Sequence, residues 1–212
     1  TVIATGHTLD DQAETILIRL IKGASLKGMA GIAPVRDEVA CRIIRPIIEL
    51  EKGEVKRYLD KANIPYRIDR TNEEPIYFRN IVRSEIIPFL ERYNPRLKRV
   101  LSNLAGHLRE DFEFIAKEKS RAMKGMKSSI QGGAVGLELK TIVVQPRALQ
   151  KEILRDLLER SGGTVKKLSF RHWKELENLI KLKKKGKSVD LPGGIRAERT
   201  SSEIVFRKII LP

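Results

Sequence analysis

The chain begins with TVIATGHTLDDQAETILIRLIKG, in which three carboxylates fall within five residues. Asp10 and Glu14 are four residues apart and Asp11 and Glu14 are three apart, so on a helix their side chains share neighbouring faces. They would lie in the first turn, where the helix dipole favours negative charge. The spacing therefore fits a purely structural role equally well. The functional alternatives are a Mg²⁺–diphosphate site, because hard oxygen ligands suit Mg²⁺, and a site for an organic ammonium.

A second group of polar residues lies between positions 69 and 83. It falls on a predicted polar loop (70–80) that leads into a predicted helix (81–93). Hydrogen-bonding side chains at this density indicate a binding surface. Aspartate and asparagine are also ordinary turn formers, however, and the arginines could simply be exposed to solvent. The pattern alone leaves both interpretations open for Asp69, Asn72, Tyr77, Arg79, Asn80 and Arg83.

The elements that would position the acidic group follow an α/β pattern. VIAT (2–5) has the composition of the end of a buried strand. Thr8 is a good N-cap, and Asp11 three residues later predicts a capping box. Apolar residues then recur at helical spacing until Gly23, a natural helix end. In α/β folds ligands bind at the carboxyl ends of strands, which is where this turn and helix lie.

The remainder of the chain divides at a long amphipathic helix, predicted from Asn94-Pro95 to about Met123. Before it we expect a glycine-containing loop (24–36), a strand (39–47), a helix (51–63) and the helix at 81–93, bent or shortened at Pro88. After it we expect a strand near 136–139, helices at 146–159 and 169–180, and a hairpin over 188–208. Phe170 and Trp173 are predicted to be core residues.

Positive charge is concentrated in the second part of the chain. Residues 1–93 hold 15 Lys and Arg against 14 Asp and Glu, whereas residues 94–212 hold 27 against 13. This asymmetry favours a polyanionic partner such as nucleic acid over a merely solvated surface. The single cysteine, Cys41, excludes an internal disulfide and a CxxC metal knuckle. No apolar run approaches the length of a membrane span, and we expect a cytoplasmic protein with no membrane partner.

Three stretches together resemble the bacterial tRNA(Ile)-lysidine synthetases of the PP-loop ATP pyrophosphatase superfamily: GHTLDDQAETILIRLIKG, RIIRPI and YRIDRTNEEPIYFRNIVRSEIIPFLERYNP. GHTxDDxxET is shared by other PP-loop proteins, and the D-x-x-N…Y-x-R-N-x-x-R run is more specific. The resemblance is strong over 2–95 and looser over 96–212. It implies the C-terminal part of a Rossmann-like, adenine nucleotide alpha hydrolase-like α/β domain (1–95), a linking helix (96–125) and a small basic α+β tRNA-binding domain (126–212).

The activity that this resemblance implies is a ligation. Such enzymes use ATP and Mg²⁺ to adenylate the C2 oxygen of the wobble cytidine of an isoleucine tRNA with a CAU anticodon. The side-chain amine of free L-lysine then attacks C2, and AMP leaves with that oxygen. The resemblance implies that His7, Asp11, Glu14 and Arg79 lie near the nucleotide, the lysine and the target base, and that family members often form homodimers. We expect Asp11, Glu14 and Arg79 to be catalytic. Asp11 and Glu14 would either bind an ammonium that stays charged, such as the α-ammonium of lysine, or help to hold Mg²⁺, with Asp11 the candidate metal ligand. The substrate-binding residues are expected to be His7, Asp10, Arg45, Asn72, Tyr77, Asn80 and Arg83.

The basic second part would contact tRNA phosphates, which position an RNA without reading its sequence. The residues expected to do so are Arg171, Lys181, Lys183, Lys184, Lys185, Lys187, Arg196 and Arg199.

One departure from the family pattern concerns the nucleotide loop. The family's SGGxDS motif precedes GHT and is not in this chain, and SGGTVK (161–166) follows a helix and carries Val165 where the motif has aspartate. We therefore expect the chain to be the downstream part of a longer enzyme and to be inactive on its own. The alternatives are a PP-loop tRNA thiolation enzyme, which the single cysteine disfavours, and a non-catalytic RNA-binding fragment.

Overall fold

The computed structural model describes residues 1–67, 78–126, 128–131, 133–165, 168–181 and 186–209. It divides into two compact units, residues 1–113 and 114–212, and each is described by itself. The sequence-based division into 1–95, 96–125 and 126–212 stays a prediction.

Unit 1 contains a small sheet and the helices that carry the acidic and arginine-rich motifs. Strand β1 pairs in parallel with β3, and β2 pairs antiparallel with β3. The described elements are β1 (Val2–Ala4), α1 (Leu9–Ile21), α2 (Leu26–Met29), β2 (Val35–Asp37), β3 (Arg42–Ile44), α3 (Lys52–Lys61), α4 (Phe78–Ile81), a π-helical turn (Val82–Ile86), α5 (Ile87–Glu91) and the first part of α6 (Leu97–Lys124).

The core of unit 1 forms where α1 packs against the helical run from α4 to α5 and against α6. Its buried members are spaced at helical intervals on α1, on the π-helical turn, on α5 and on α6, as expected for amphipathic helices that share one apolar layer. They are Ala13, Ile16, Leu17, Val82, Ile87, Leu101 and Ala105. The same packing brings the acidic start of α1 close to the arginines of the second motif.

Two strand predictions in unit 1 are wrong in detail. VIAT was expected to be buried, yet Val2 is 61% and Ile3 46% exposed, because no described layer covers the faces of β1. The strand predicted over 39–47 is limited to β3. A hydrogen bond from Glu38 N to Cys41 O closes a turn there, and β2 forms within the segment that was expected to be a loop.

The helix predicted over 81–93 begins earlier and is interrupted by the π-helical turn. Pro88 has no N–H, so it cannot donate to the carbonyl four residues before it. The Ile87 amide instead bonds the Val82 carbonyl, five residues back. Such single π-helical turns accommodate a local change of register without ending the helix. The helix is thus not shortened at Pro88, and the irregular turn lies just before the proline.

Unit 2 is a five-stranded antiparallel sheet in the order β4-β5-β8-β7-β6, packed against helices. Its buried side chains alternate along β5, β7 and β8 and recur at helical spacing on α8 and α9, which gives one apolar core. The elements are β4 (Ser128–Gln131), β5 (Ala134–Glu138), α7 (Leu139–Val143), α8 (Arg147–Arg160), α9 (Phe170–Lys181), β6 (Ser188–Leu191), β7 (Ile195–Arg199) and β8 (Glu203–Lys208).

One core prediction for unit 2 is confirmed and one is wrong. Trp173 packs against the core, with the Arg155 guanidinium 5.3 Å from the centre of its ring. Phe170 is 77% exposed, because it is the first residue of α9 and no described element covers it.

Candidate functional site

The start of α1 has the capping box that its sequence predicts. The backbone amide and the hydroxyl of Thr8 both donate to Oδ2 of Asp11, at 2.9 and 3.0 Å. Asp11 is therefore fixed by its own helix end. Glu14, one turn further, is only 1% exposed. A buried carboxylate requires partners, because an unpaired charge is costly to remove from water.

Those partners are two arginines of the second motif. Arg79 Nε donates to Glu14 Oε2 at 2.6 Å, and Arg79 Nη2 donates to Asp11 Oδ1 at 2.7 Å. Arg83 Nε donates to Glu14 Oε1 at 2.6 Å, and its Nη2 donates to Oε2 at 3.1 Å. The hydrogen bonds that Arg83 donates to Glu14 raise the pKa of Arg83. Motifs that are far apart in the sequence thus form one carboxylate–arginine cluster.

The cluster changes the interpretation of Glu14. Its two oxygens accept three hydrogen bonds from Arg79 and Arg83, and it has almost no exposed surface for a ligand. A direct contact with an organic ammonium, which is one of the sequence-based alternatives, would require one arginine to move. Arg79 is 43% exposed, so its guanidinium is the part of the cluster that a ligand can reach. Glu14 thus orients the arginines in this structure.

Asp10 makes contacts within the protein, and its predicted substrate contact stays a prediction. Its Oδ1 lies 2.9 Å from Lys98 Nζ, and its Oδ2 accepts a hydrogen bond of 2.7 Å from the backbone amide of Lys52, the first residue of α3. Burial tends to raise the pKa of Asp10, but the Lys52 amide and Lys98 outweigh it and the pKa is lowered. Asp10 therefore ties α1 to the start of α3 and to α6.

The Asp10 contacts predict a pH-dependent stability. Because the pKa is lowered in the folded state, the stabilisation is complete above the unfolded pKa of about 3.9 and is lost as the pH falls through the folded value. We expect Asp10→Asn to lower the free energy of unfolding by about 2 kcal/mol at neutral pH, the scale of a hydrogen bond to a charged group. The difference should shrink below about pH 4.

Urea unfolding of the chain at several pH values would measure this difference. Asp111→Asn is the matched control, because Asp111 is an exposed carboxylate of α6 with no ion pair among the described residues. A loss for Asp10→Asn that is as large at pH 3 as at pH 7 would contradict the interpretation.

The other substrate-binding residues predicted in unit 1 occupy different surroundings. Thr5 Oγ1 lies 2.9 Å from Nδ1 of His7, and this contact leaves Nε2 for other partners. Arg45 does not face an open site, since its Nη1 donates to the Ala33 carbonyl at 2.7 Å. Asn80 lies on α4, next to Arg79. Asn72, Tyr77 and Asp69 lie outside the described residues.

A loop between α2 and β2 is held by side chains that sequence reasoning missed. Arg19 donates to the carbonyls of Gly28 and Gly31, and Arg109 donates to those of Ala30 and Ile32. The Gln12 amide makes a paired contact with the backbone of Ile32, at 2.6 and 3.1 Å. The loop is therefore fixed in one conformation from α1 and α6.

Two signals could have identified these residues. Arg109 follows Leu101 and Ala105 at intervals of four, so it is a charged residue in the buried stripe of a helix. Gly31 has a φ of +66°, and a Cβ there would lie 2.6 Å from Gln12 Oε1. Only glycine fits this position without strain, because of both the backbone conformation and the close approach.

The described residues do not fit the expected Mg²⁺ site. They contain no group of three or more His, Cys, Asp or Glu side chains placed to hold a metal ion. Asp11, the proposed ligand, already uses Oδ2 for its capping box and Oδ1 for Arg79. A Mg²⁺ ion needs carboxylate oxygens that are not committed to cations. No step of the mechanism below therefore depends on a metal held by these residues.

The basic residues predicted to bind tRNA differ in whether their charged groups are already paired within the protein. Arg171 pairs with Glu175 and Arg196 with Asp190, both at exposed positions. Arg199 donates to the Leu179 and Ile180 carbonyls at the end of α9, which makes it a helix-capping residue. Lys181 and Lys187 are exposed. Lys183, Lys184 and Lys185 lie outside the described residues.

No helix in the described segments combines the length and the apolar composition that crossing a membrane requires.

Comparison with known protein families defines the class of both units. Residues 1–90 match the model of a PP-loop domain, and residues 137–201 match the model of the TilS substrate binding domain. The chain therefore contains a PP-loop domain followed by a TilS substrate-binding domain, as the resemblance in the sequence implies. The α/β class predicted for the fold is confirmed.

Comparison with individual proteins gives a more specific similarity than the domain models do. The chain is 31% identical over 205 residues to the tRNA(Ile)-lysidine synthase of Clostridioides difficile, which is 96% of this chain and 44% of that protein. It is 31% identical over 207 residues to that of Caldanaerobacter subterraneus, which is 97% of this chain and 43% of the relative. The sequence resemblance to these synthases is thus confirmed, and the chain spans less than half the length of these curated relatives.

Proposed function

We propose that this chain is part of a tRNA(Ile)-lysidine synthase, which joins lysine to C2 of the wobble cytidine of an isoleucine tRNA through an adenylated tRNA. The proposed reaction takes ATP and free L-lysine as co-substrates and an isoleucine tRNA with a CAU anticodon. We further propose a cytoplasmic location and a homodimer. The proposed function is supported by the similarity to synthases of that name over 96% of the chain.

The observation that carries the proposal is the carboxylate–arginine cluster. It joins the GHTxDDxxE helix to the R-N-x-x-R helix through four hydrogen bonds of 3.1 Å or less. The first motif is common to PP-loop proteins and the second is the part that indicates lysidine formation. Their side chains meet at Glu14, so the two motifs form one site rather than two independent surfaces.

Each residue of the site would have a different role in binding the substrates. Glu14 fixes the planes of Arg79 and Arg83, and the half-exposed Arg79 offers a planar guanidinium to an anionic group such as a phosphate or the lysine carboxylate. Nε2 of His7 is left for a substrate by the Thr5 contact. Asp11, which is 24% exposed, is the carboxylate of the cluster that a substrate can approach.

The pairing of the carboxylates suits the chemistry of the nucleophile. Lysine must attack as the neutral amine, yet its unperturbed pKa is about 10.4. A free carboxylate next to that amine would favour the charged ammonium and slow the attack. Glu14 and Asp11 are each bonded to arginine, which weakens this effect. Removal of the proton from the side-chain ammonium of lysine then requires a base other than these two carboxylates.

The decisive experiment uses the full-length protein that contains this chain. It should transfer radiolabelled lysine to an isoleucine tRNA transcript with a CAU anticodon, in an ATP-dependent reaction. The matched control is the same transcript with uridine at the wobble position, which should accept no label. Absence of lysine transfer to a transcript that the protein binds would overturn the proposal, and sulfur incorporation in its place would identify a thiolation enzyme.

A further inference from the structure

A small aromatic surface lies at the end of α5, away from the core of unit 1. Phe89 is 48% exposed and Tyr93 is 78% exposed. Their rings meet edge to face with centroids 5.5 Å apart, and the Arg92 guanidinium lies 4.7 Å from the centre of the Phe89 ring. We call Phe89, Arg92 and Tyr93 the α5 aromatic surface. Neither ring is buried, so core packing does not explain why two aromatic side chains stand here.

The charge around this surface is mainly positive, and Glu85 is the exposed carboxylate of the preceding turn. Arg92 and the nearby Arg96 are exposed, and within the described part of the chain no carboxylate pairs with either. The neighbouring cations are engaged elsewhere, since Lys98 pairs with Asp10 and Arg99 donates to the Glu49 carbonyl. In unit 2, by contrast, the exposed Arg171 and Arg196 are each paired with an acid. Arg92 and Arg96 therefore leave a local excess of positive charge beside the rings.

Exposed rings interleaved with unpaired arginines have the chemistry of a single-stranded nucleic acid contact. Every base presents a π-face that an aromatic side chain can stack on, while arginines neutralise the phosphates. A protein partner also favours Tyr, Phe and Arg, but the uncompensated charge fits a polyanion better. We propose that the α5 aromatic surface binds unpaired nucleotides of an RNA, with a base stacked on Tyr93 and phosphates at Arg92 and Arg96.

The position of the surface fits the same RNA that would reach the carboxylate–arginine cluster. The helical run from α4 through α5 carries Arg79 near its start and Phe89 ten residues later. At the rise of a helix this separation is about 15 Å. An RNA with one nucleotide at Arg79 can therefore bring its neighbouring nucleotides to Phe89, whose ring contacts that of Tyr93. The inference rests on the proposed function for the identity of the RNA, but it adds a contact by stacking in unit 1.

Fluorescence anisotropy of a labelled RNA hairpin with an unpaired loop, bound to the 212-residue chain, tests this inference. Tyr93→Ala should raise Kd for the hairpin about tenfold, because base–aromatic stacking is lost, and Tyr93→Phe should stay within about twofold. Tyr58→Ala is the matched control, since Tyr58 is 68% exposed on α3 and should have no effect. A blunt RNA duplex of equal length should bind Tyr93→Ala as well as the parent chain.

Salt dependence separates stacking from charge. Arg92→Gln should reduce the slope of log Kd against log salt by about 0.7, the value for one phosphate contact on a single strand. Tyr93→Ala should leave that slope unchanged, because stacking releases no counterions. A 2-aminopurine in the hairpin loop should be quenched by the parent chain and not by Tyr93→Ala. Circular dichroism would confirm that each variant is folded.

The outcomes distinguish this inference from the proposed function. A parent chain that binds no RNA would overturn the aromatic surface, whereas the proposed function is tested separately by lysine transfer with the full-length protein. A parent chain that binds the hairpin while Tyr93→Ala binds it equally well would overturn the aromatic surface alone. An equal loss of affinity for the duplex, or a loss of self-association in sedimentation without a change in RNA binding, would likewise overturn stacking on Tyr93.

Discussion

Replacing Arg79 with lysine is expected to lower kcat/KM for lysine transfer by about 100-fold in the full-length protein, the scale of losing one well-placed donor to a charged group. Arg79 holds Asp11 and Glu14 through two separate nitrogens, 2.7 and 2.6 Å from their acceptors. A lysine ammonium carries the same charge but lacks the planar fork, so it cannot bridge both carboxylates and also face a ligand. Charge alone should therefore not restore activity.

Radiolabelled lysine transfer at varied lysine and tRNA concentrations would measure this effect and divide it between kcat and KM. Arg42→Lys is the matched control, because Arg42 is an exposed arginine whose Nε lies 2.7 Å from Asp37 Oδ1, and its replacement should change kcat/KM less than twofold. Thermal unfolding would verify that both variants are folded. Arg79→Lys with activity within threefold of the parent would contradict the role that we give to the fork.

Replacing Glu14 with glutamine is expected to lower the free energy of unfolding of unit 1 by about 3 kcal/mol, because breaking a buried ion pair leaves uncompensated charge. Glu14 is 1% exposed and accepts hydrogen bonds from both Arg79 and Arg83. A glutamine would keep one acceptor oxygen and would turn its NH₂ group toward a guanidinium. It therefore removes the charge and adds a repulsive contact, while the volume of the side chain is unchanged.

Urea unfolding followed by circular dichroism, together with hydrogen exchange of peptides that cover α1, would measure the loss. Glu38→Gln is the matched control, since Glu38 is paired with Arg36 at the surface and should cost less than about 0.5 kcal/mol. Glu14→Gln as stable as the parent chain would show that the cluster does not stabilise α1. Restoring stability with Glu14→Gln plus Arg83→Met would further support the buried-charge explanation.

What the sequence predicted best was local. The Thr8–Asp11 capping box and the extent of α1 depend on residues within one or two helical turns, and both are present in the structure. The placement of Glu14 on the same helix as Asp11, one turn later, was also predicted. Its partners were not, because they lie 65 and 69 positions away and no local pattern pairs a particular arginine with a particular acid.

The charged residues near the motif show why the site could be predicted only in part. Asp10 and Arg45 were expected to contact substrate, yet one binds Lys52 and Lys98 and the other binds the Ala33 carbonyl. In a sequence, a charged side chain that ties two elements together is indistinguishable from one that binds a ligand. Lys98 was not predicted to have a role, because its ion pair with Asp10 forms only when α6 packs beside α1.

The closed pairing at the start of α1 also determines which ligands the site can tolerate. The two acids of the carboxylate–arginine cluster, Asp11 and Glu14, are matched by Arg79 and Arg83, so the cluster carries no net charge. Matched charges a few ångströms apart produce a field that falls off more steeply than that of a single ion. A cationic amino acid and an anionic nucleotide can then approach the same place without either being repelled. The proposed joining of lysine to an RNA would use such a site, because it repels neither substrate.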